Sequence, residues 1–226
     1  MESDQIGRFI LFMVALIFSG SLHEAMHAWT SSRFGDDLAR SQGRVSLNPA
    51  VHVDPIGTLL FPAFSFFTGV QMLGWARSTP VNPLAWRDKN VANFWVSLAG
   101  ILGNLGLAIV AGLVLRALYT AGLFVRQDNN FLVNTESDLV LGAISLLHIF
   151  FTLNIGLAVF NLIPIPPLDG IHILESLLPD SLAPTFESIN SLGIVFLFVV
   201  LYTGVLNPVF RFVMPLAERI LFLGAS

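Results

Sequence analysis

The chain has 226 residues, of which 54% are hydrophobic and only 12% are charged, whereas a soluble domain usually carries about 25% charged residues. This composition excludes an ordinary water-soluble protein and places the chain in a membrane. The sequence has no cysteine, which excludes disulfides, thiolate metal sites and cysteine nucleophiles, and its net charge of −4 without a basic patch predicts no nucleic-acid partner.

Four apolar stretches have the length of about 20 residues that a helix needs to cross the hydrocarbon core of a bilayer. In chain order they are residues 9–29, 91–115, 139–163 and 188–210, of which the last is interrupted by Asn207 and Pro208. The tail, residues 211–224, mixes charged and apolar residues, so it fits the membrane interface but is also barely long enough to cross.

Two shorter segments lie between the first and second predicted spans. Residues 42–47 are typical of a short strand that ends at Asn48-Pro49, and such a strand could pair with an extended substrate; a plain surface hairpin is the alternative. Residues 55–76 are apolar but broken by Pro62 and three glycines. If this stretch re-enters, the six flanking cations all face the cytoplasm, as the positive-inside rule favours. We therefore favour a re-entrant segment, with a crossing as the alternative.

Together these elements predict an all-α polytopic membrane protein with about four to six transmembrane helices, a small membrane-edge β element and a re-entrant segment. We expect a single domain over residues 1–226, with a core at 6–175 and C-terminal helices at 188–224.

The sequence His23-Glu24-Ala25-Met26-His27 places two imidazoles four residues apart in the first predicted span. On a helix they project from one face, so both can bind one zinc ion at about 2.0–2.1 Å. Glu24 lies close to them, where its carboxylate can take a proton from water at the metal. Ionisable groups within a span are costly and usually functional. The alternative is a set of helix-end residues that bind lipid headgroups.

A catalytic zinc takes three protein ligands and keeps one position open, so a third ligand must come from elsewhere in the chain. Residues 161–170 follow the third long span and contain three prolines that cannot continue a helix. Asp169 is therefore predicted to project from irregular backbone at the membrane face, with Gly170 permitting close approach. The alternative role for Asp169 is an ordinary helix N-cap.

The motifs H-E-A-M-H at 23–27 and N-L-I-P-I-P-P-L-D-G at 161–170 resemble those of the site-2 protease family of intramembrane zinc metalloproteases. Residues 43–58 (GRVSLNPAVHVDPIGT) and 74–83 (GWARSTPVNP) extend the resemblance. It implies one Zn²⁺ per chain with His23, His27 and Asp169 as ligands, Glu24 as the catalytic base, and Asn161 near the scissile carbonyl.

The chain resembles the short bacterial and archaeal members of that family, which lack PDZ and CBS domains. The resemblance implies a multi-pass protein of a prokaryotic cytoplasmic membrane, with the active site towards the cytoplasm and transmembrane proteins as substrates. The chain departs from the family at Ile101, where proline is usual in a Gly-Pro-x-x-Asn motif. No proline kink is therefore expected there, whereas glycines at 100, 103 and 106 still allow close helix packing and Asn104 can face the site.

Three further histidines have predicted roles. His52 could support the site or act as a gate ligand, although a solvated loop residue is the favoured interpretation. His172 lies three residues after Asp169, so it could orient that carboxylate. His148 lies inside a predicted span and is expected to be structural, paired with a neighbouring helix.

Two asparagines in the third long span, Asn154 and Asn161, lie seven residues apart on one helix face. Both could face a polar cavity, and Asn161 could donate its amide to a developing oxyanion. Hydrogen bonding between spans is the alternative for each.

Two other classes of function compete with a protease. A zinc-binding pseudoprotease or membrane scaffold would keep the ligands without turnover, which the intact base at Glu24 argues against. A metal-ion transporter would need further ionisable groups along the spans, and only His148 qualifies.

Overall fold

Three long apolar helices form the centre of the molecule. The computed structural model describes residues 2–69, 74–127, 130–133, 137–182, 184, 186 and 190–223. The described helices, in chain order, are α1 (Glu2–Arg33), α2 (Leu38–Ser41), α3 (Phe61–Thr68), α4 (Lys89–Thr120), α5 (Asp138–Asn161), α6 (Asp169–Leu177), α7 (Gly193–Thr203) and α8 (Asn207–Leu221). Helices α1, α4 and α5 are each long and apolar enough to cross a membrane. Each packs against the other two.

Helix α4 is the central helix of the three. It begins at the Asp88 carboxylate, which accepts a hydrogen bond from Val91 N (3.1 Å) and so satisfies one of the unpaired amides of the first turn. The buried face carries many alanines and glycines, which let the neighbouring backbones come close. The helix continues unbroken past Ile101, as expected where the usual proline is missing. Gly106 is an exception to the predicted close packing, because it faces outward and a Cβ atom added there would have no neighbour within 4 Å.

A β-hairpin joins α4 to α5 at the end of the bundle opposite to His23 and His27. Strands β1 (Phe124–Gln127) and β2 (Asn130–Val133) are antiparallel, with Phe124 opposite Val133. Phe124 is fully buried and packs in an apolar cluster with Leu115 and Ile144. This cluster fixes the antiparallel α4–α5 pair at the end remote from the histidines.

The predicted strand at residues 42–47 is wrong, because these residues form turns and bends. Gly43 adopts φ +69°, and its amide donates to Arg40 O while Arg44 N donates to Ala39 O. This is the hydrogen-bond pattern that closes a helix at a left-handed residue. The buried Arg44 guanidinium then donates to Val51 O, which folds the segment back on itself.

The segment that starts at Pro55 enters and leaves at the same end. A π-helical turn (Pro55–Leu60) continues into α3, and these 14 residues are too short to cross a core about 30 Å thick. Beyond residues 70–73, which lie outside the described residues, Trp75 N donates to Gly57 O (3.1 Å) and Thr58 Oγ1 donates to Trp75 O (2.8 Å). The chain therefore returns to its starting point, as a re-entrant segment requires.

The predicted fourth span is broken. Its first residues, Ser188 and Ile189, lie outside the described part, and Gly224 at the end of the predicted tail does too. Helix α7 ends at Gly204 and α8 runs at 70° to it, so the break precedes Asn207-Pro208. By length and composition the described helices thus contain three candidate spans, or up to four if α7 and α8 are one bent span.

Helix α8 packs back on α4 and α5. Arg116 Nη1 donates to Leu221 O (2.8 Å), and His148 Nε2 lies 2.8 Å from Glu218 Oε1. The prediction that His148 pairs with a neighbouring helix is confirmed, since Glu218 belongs to α8.

Candidate metal centre

Two imidazoles and a carboxylate converge at one end of the helix bundle. The Nε2 atoms of His23 and His27 are 2.9 Å apart. Asp169 Oδ2 lies 3.1 Å from His23 Nε2, and Asp169 Oδ1 lies 3.4 Å from His27 Nε2. The three candidate ligand atoms all lie within 4.8 Å of one another. The residues that the sequence singled out as ligands are therefore together, although 142 positions separate His27 from Asp169.

Helix periodicity and a proline-rich break bring these side chains to the same place. His23 and His27 lie one turn apart near the C-terminal end of α1. Helix α5 ends at Asn161, and Asp169 is the first residue of α6. Leu168, not Asp169, occupies the N-cap position, and no side chain caps the helix. The alternative role of Asp169 as an N-cap is therefore not the one adopted.

The second nitrogen of each imidazole is held by a carbonyl oxygen. His23 Nδ1 lies 2.7 Å from Asn104 Oδ1, and His27 Nδ1 lies 2.7 Å from Val96 O. Because a carbonyl oxygen only accepts hydrogen bonds, each Nδ1 is the donor and each Nε2 presents a lone pair. Two lone pairs and a carboxylate so close together repel one another unless a cation lies between them.

The donor set fits zinc. Imidazole nitrogens and a carboxylate oxygen form one of the common three-ligand sets of catalytic zinc, with further hydrogen bonds orienting each imidazole. Asp169 Oδ2 is buried and accepts no hydrogen bond, as expected of an atom reserved for a metal. A cation held between Asp169 and the two imidazoles would favour the ionised form of the carboxyl. A charged Asp169 suits a cation site.

Helix α4 passes directly behind the two imidazoles at Gly100. A Cβ atom at this position would lie 2.5 Å from His27 Nε2 and 2.6 Å from His23 Cε1. These distances are well inside van der Waals contact, so the approach of α4 requires glycine here. One turn later the same helix supplies Asn104 to His23, as the sequence predicted.

Comparison with known proteins agrees with this geometry. Residues 11–201, which include every residue of the candidate metal centre, match the sequence profile of peptidase family M50. The chain belongs to peptidase family M50. YwhC of Bacillus subtilis is 35% identical over 190 residues, which cover 84% of this chain and 78% of YwhC. Rip2 of Mycolicibacterium smegmatis is 30% identical over 203 residues, which cover 89% of this chain and 70% of Rip2.

Both relatives are named as zinc metalloproteases. Membership of M50 confirms the predicted site-2 protease resemblance, and with it the class of zinc metalloprotease acting within a membrane. No solved structure matches the chain.

In this M50 chain, Glu24 lies beside the candidate ligands and is held by the segment that returns from α3. Thr79 N donates to Glu24 Oε2 (2.6 Å), and Thr79 Oγ1 donates to Glu24 O (2.9 Å). Sequence reasoning missed Thr79 as an individual residue. The only signal was its position within residues 74–83, one of the segments that resemble the family.

The asparagines divide into two groups. Asn161 Nδ2 donates to Leu157 O (3.0 Å) of its own helix, so its role at the scissile carbonyl stays a prediction. Asn154 is fully buried and bonded to Asn104 and Ser19, so it does not face an open polar cavity but supports the metal centre through Asn104, the other role predicted for it. The interpretation of Asn154 as a hydrogen-bonding residue between spans holds, because its partners Asn104 and Ser19 lie on α4 and α1.

Two histidine predictions also need correction in the M50 chain. His52 is 1% exposed and its Nε2 lies 2.8 Å from Ser46 O, so it is not a solvated loop residue. The folded-back loop after Gly43 encloses it. His172 Nδ1 lies 2.9 Å from Glu175 Oε2 rather than at Asp169. Both acids are three residues away, but side chains on a helix lean towards its N-terminus, so the long Glu175 side chain reaches back to His172.

Proposed function

We propose that this chain hydrolyses peptide bonds in or near the transmembrane segments of other membrane proteins, with one Zn²⁺ held by His23, His27 and Asp169. The observation that carries the proposal is the convergence of two Nε2 lone pairs and a half-buried carboxylate within 4.8 Å, at the end of a bundle of helices apolar enough to span a bilayer. The partners implied are the lipid bilayer and transmembrane protein substrates, with no nucleic acid.

Zinc, when bound, supplies a Lewis acid that polarises the scissile carbonyl and makes water a stronger nucleophile. Glu24 is the proposed general base. The Thr79 amide already holds its Oε2, which leaves Oε1 to take the proton from the attacking water and to return it to the leaving amine. Asn161 is the proposed donor to the oxyanion, and it must exchange its bond to Leu157 O to reach a substrate.

We further propose that the protein lies in a prokaryotic cytoplasmic membrane with the metal centre towards the cytoplasm. The support is the positive-inside rule. Six cations follow α1, flank the returning segment or begin α4, all at the end of the bundle that carries the metal centre: Arg33, Arg40, Arg44, Arg77, Arg87 and Lys89. If α7 and α8 together form one bent crossing, they provide a fourth span.

The test combines metal content with cleavage. Purified protein in detergent is incubated with a panel of tagged single-span membrane proteins, and zinc is measured by elemental analysis. We expect one zinc per chain in the native protein, and almost none after joint replacement of His23 and His27 by alanine. Glu24→Gln is the matched variant that should keep the zinc and lose cleavage. Cleavage at the native rate by Glu24→Gln would remove Glu24 as the base.

A zinc-binding scaffold would give a different pattern in the same experiment. It would hold one zinc per chain, yet no member of the substrate panel would be cut by the native protein or in membranes from cells that express it. The presence of Glu24 beside the ligands, held by Thr79, favours turnover.

A further inference from the structure

A row of buried polar side chains crosses all three long helices behind His23. It consists of Ser19 on α1, Asn104 on α4 and Asn154 on α5, and each of these residues is 0% exposed. Polar groups buried in the middle of apolar helices are costly unless they are fully hydrogen-bonded, and those inside membrane spans are usually functional. The row therefore calls for a functional explanation.

The side chains of the row are joined to one another and to His23 by hydrogen bonds of 2.7–2.8 Å. Asn154 Nδ2 donates to Ser19 Oγ (2.8 Å) and to Phe150 O (2.8 Å). Asn104 Nδ2 donates to Asn154 Oδ1 (2.8 Å) and lies 3.4 Å from Ser19 O. Asn104 Oδ1 then faces His23 Nδ1 at 2.7 Å.

The direction of these bonds is set by the main chain. Phe150 O can only accept, so the amide of Asn154 must turn its Nδ2 towards it and its Oδ1 towards Asn104. Asn104 must then present Nδ2 to Asn154, and its own Oδ1 faces His23. An oxygen at that position requires a proton on His23 Nδ1. The chain of hydrogen bonds from Phe150 O to Asn104 Oδ1 therefore selects one tautomer of His23, the one with its proton on Nδ1.

His27 shows why His23 needs this support. The acceptor for His27 Nδ1 is the main-chain oxygen of Val96, which the helix backbone holds in place. The acceptor for His23 Nδ1 is a side-chain amide, which could rotate and offer Nδ2 instead of Oδ1. Something must hold Asn104 in one orientation.

We propose that Asn154 and Ser19 are positioning residues for the metal ligand His23: acting through Asn104, they keep the imidazole proton on Nδ1 and leave Nε2 as a lone pair that faces the metal. The inference rests on the proposed zinc site. It gives two residues outside the H-E-x-x-H and L-D-G motifs a defined part in metal binding.

The first test compares zinc affinities of full-length proteins by competition with a chromophoric chelator. Asn154→Leu keeps the branched shape of the side chain, although leucine is larger, and removes its donors and acceptor. Replacing groups that orient metal ligands typically weakens metal binding by about 10–100-fold, and we expect about tenfold for Asn154→Leu because it acts through Asn104. The matched control is Thr152→Val on the same helix. Among the described residues, the Thr152 hydroxyl bonds only to carbonyl oxygens of its own helical turn. We expect native affinity for it.

A milder pair of variants decides the case if Asn154→Leu does not fold. Ser19→Ala and Ser21→Ala each remove one buried oxygen from α1. Within the described part of the chain, Ser21 Oγ bonds only to Ile17 O of the same helix. We expect weaker zinc binding for Ser19→Ala and native binding for Ser21→Ala. Equal affinities for the two variants would overturn the inference.

A double-mutant cycle separates positioning from general packing. If Asn154 acts through Asn104, Asn154→Leu should cause no further loss of zinc affinity in a protein that already carries Asn104→Ala. Fully additive losses would overturn the inference. In cobalt-substituted protein, the visible absorption bands should change in Asn154→Leu and stay native in Thr152→Val. Absence of zinc from the native protein would instead defeat the proposed function itself.

Discussion

Replacement of Gly100 by alanine should disturb the metal centre more than any other single methyl group on α4. The added Cβ would lie 2.5 Å from His27 Nε2, 2.6 Å from His23 Cε1 and 2.8 Å from His23 Nδ1. Ordinary carbon contacts lie at about 3.5–4.0 Å, so the helix or the imidazoles must move by roughly 1 Å. The atoms in the way belong to the two residues that have to hold the metal.

The size of the effect follows from that displacement. A misplacement of about 1 Å at a reacting centre can lower the rate about 100-fold, and disturbed orientation of metal ligands costs about 10–100-fold in affinity. The effect on folding is smaller. Overpacking costs about 1–3 kcal/mol, while alanine favours the helix over glycine by about 1 kcal/mol. We therefore expect a large loss of zinc affinity and cleavage with a net destabilisation of about 0–2 kcal/mol.

Gly106→Ala is the matched control, because Gly106 lies on the same helix with nothing within 4 Å of its Cβ position. Zinc affinity, cleavage of a membrane substrate and thermal unfolding are measured for both variants. Gly106→Ala should keep native affinity and a Tm at or above that of the native protein. Native zinc affinity and native cleavage in Gly100→Ala would refute the geometric reasoning.

Three further predictions concern the ligand, the base and the remote end of the bundle. Asp169→Asn keeps the shape of the side chain but removes the charge, so zinc affinity should fall at least about tenfold in a chelator competition; unchanged affinity would exclude Asp169 as a ligand. Thr79→Val removes the hydroxyl bond to Glu24 O and keeps the amide bond to Glu24 Oε2. Cleavage should therefore slow while the zinc content stays native. A loss of zinc as large as the loss of cleavage would argue against a role of Thr79 in holding the base. His148→Phe breaks the pair with Glu218 and should lower the free energy of unfolding by about 1–3 kcal/mol, measured by thermal unfolding. Zinc affinity should stay native, because the pair lies far from the metal centre.

Local periodicity explains the parts of the site that the sequence predicted. The spacing of His23 and His27 places both imidazoles on one face of any helix, whatever surrounds it. The prolines before Asp169 end the preceding helix by covalent geometry alone. The spacing of Gly100 and Asn104 likewise puts a small residue and an amide on one face of α4, and both meet the histidines. These features need no knowledge of the tertiary fold.

Contacts between distant segments account for the errors. A stretch such as 42–47 suits a strand by composition, yet the turn at Gly43 closes α2 and folds the loop over His52. The break before α8 falls at Gly204 rather than at Asn207-Pro208 because a left-handed residue ended α7 first. Glycine tolerates that conformation at little cost, and only the packing of α8 on the bundle selects it.

Composition and spacing alone place the chain in a membrane, put two imidazoles and a carboxylate on one turn of α1, and predict that Asp169 follows the broken end of a helix. Composition and helix periodicity are local properties, so they can be recognised in the sequence without knowledge of the fold. The partners of the polar groups follow from the packing of distant segments: Thr79 binds Glu24, 55 residues away, and Ser19 binds Asn154, 135 residues away. The Ser19–Asn154 bond exists because α1 and α5 pack together with α4, and the Thr79–Glu24 bond exists because the segment after α3 folds back onto α1. No local pattern specifies which polar atoms then face one another.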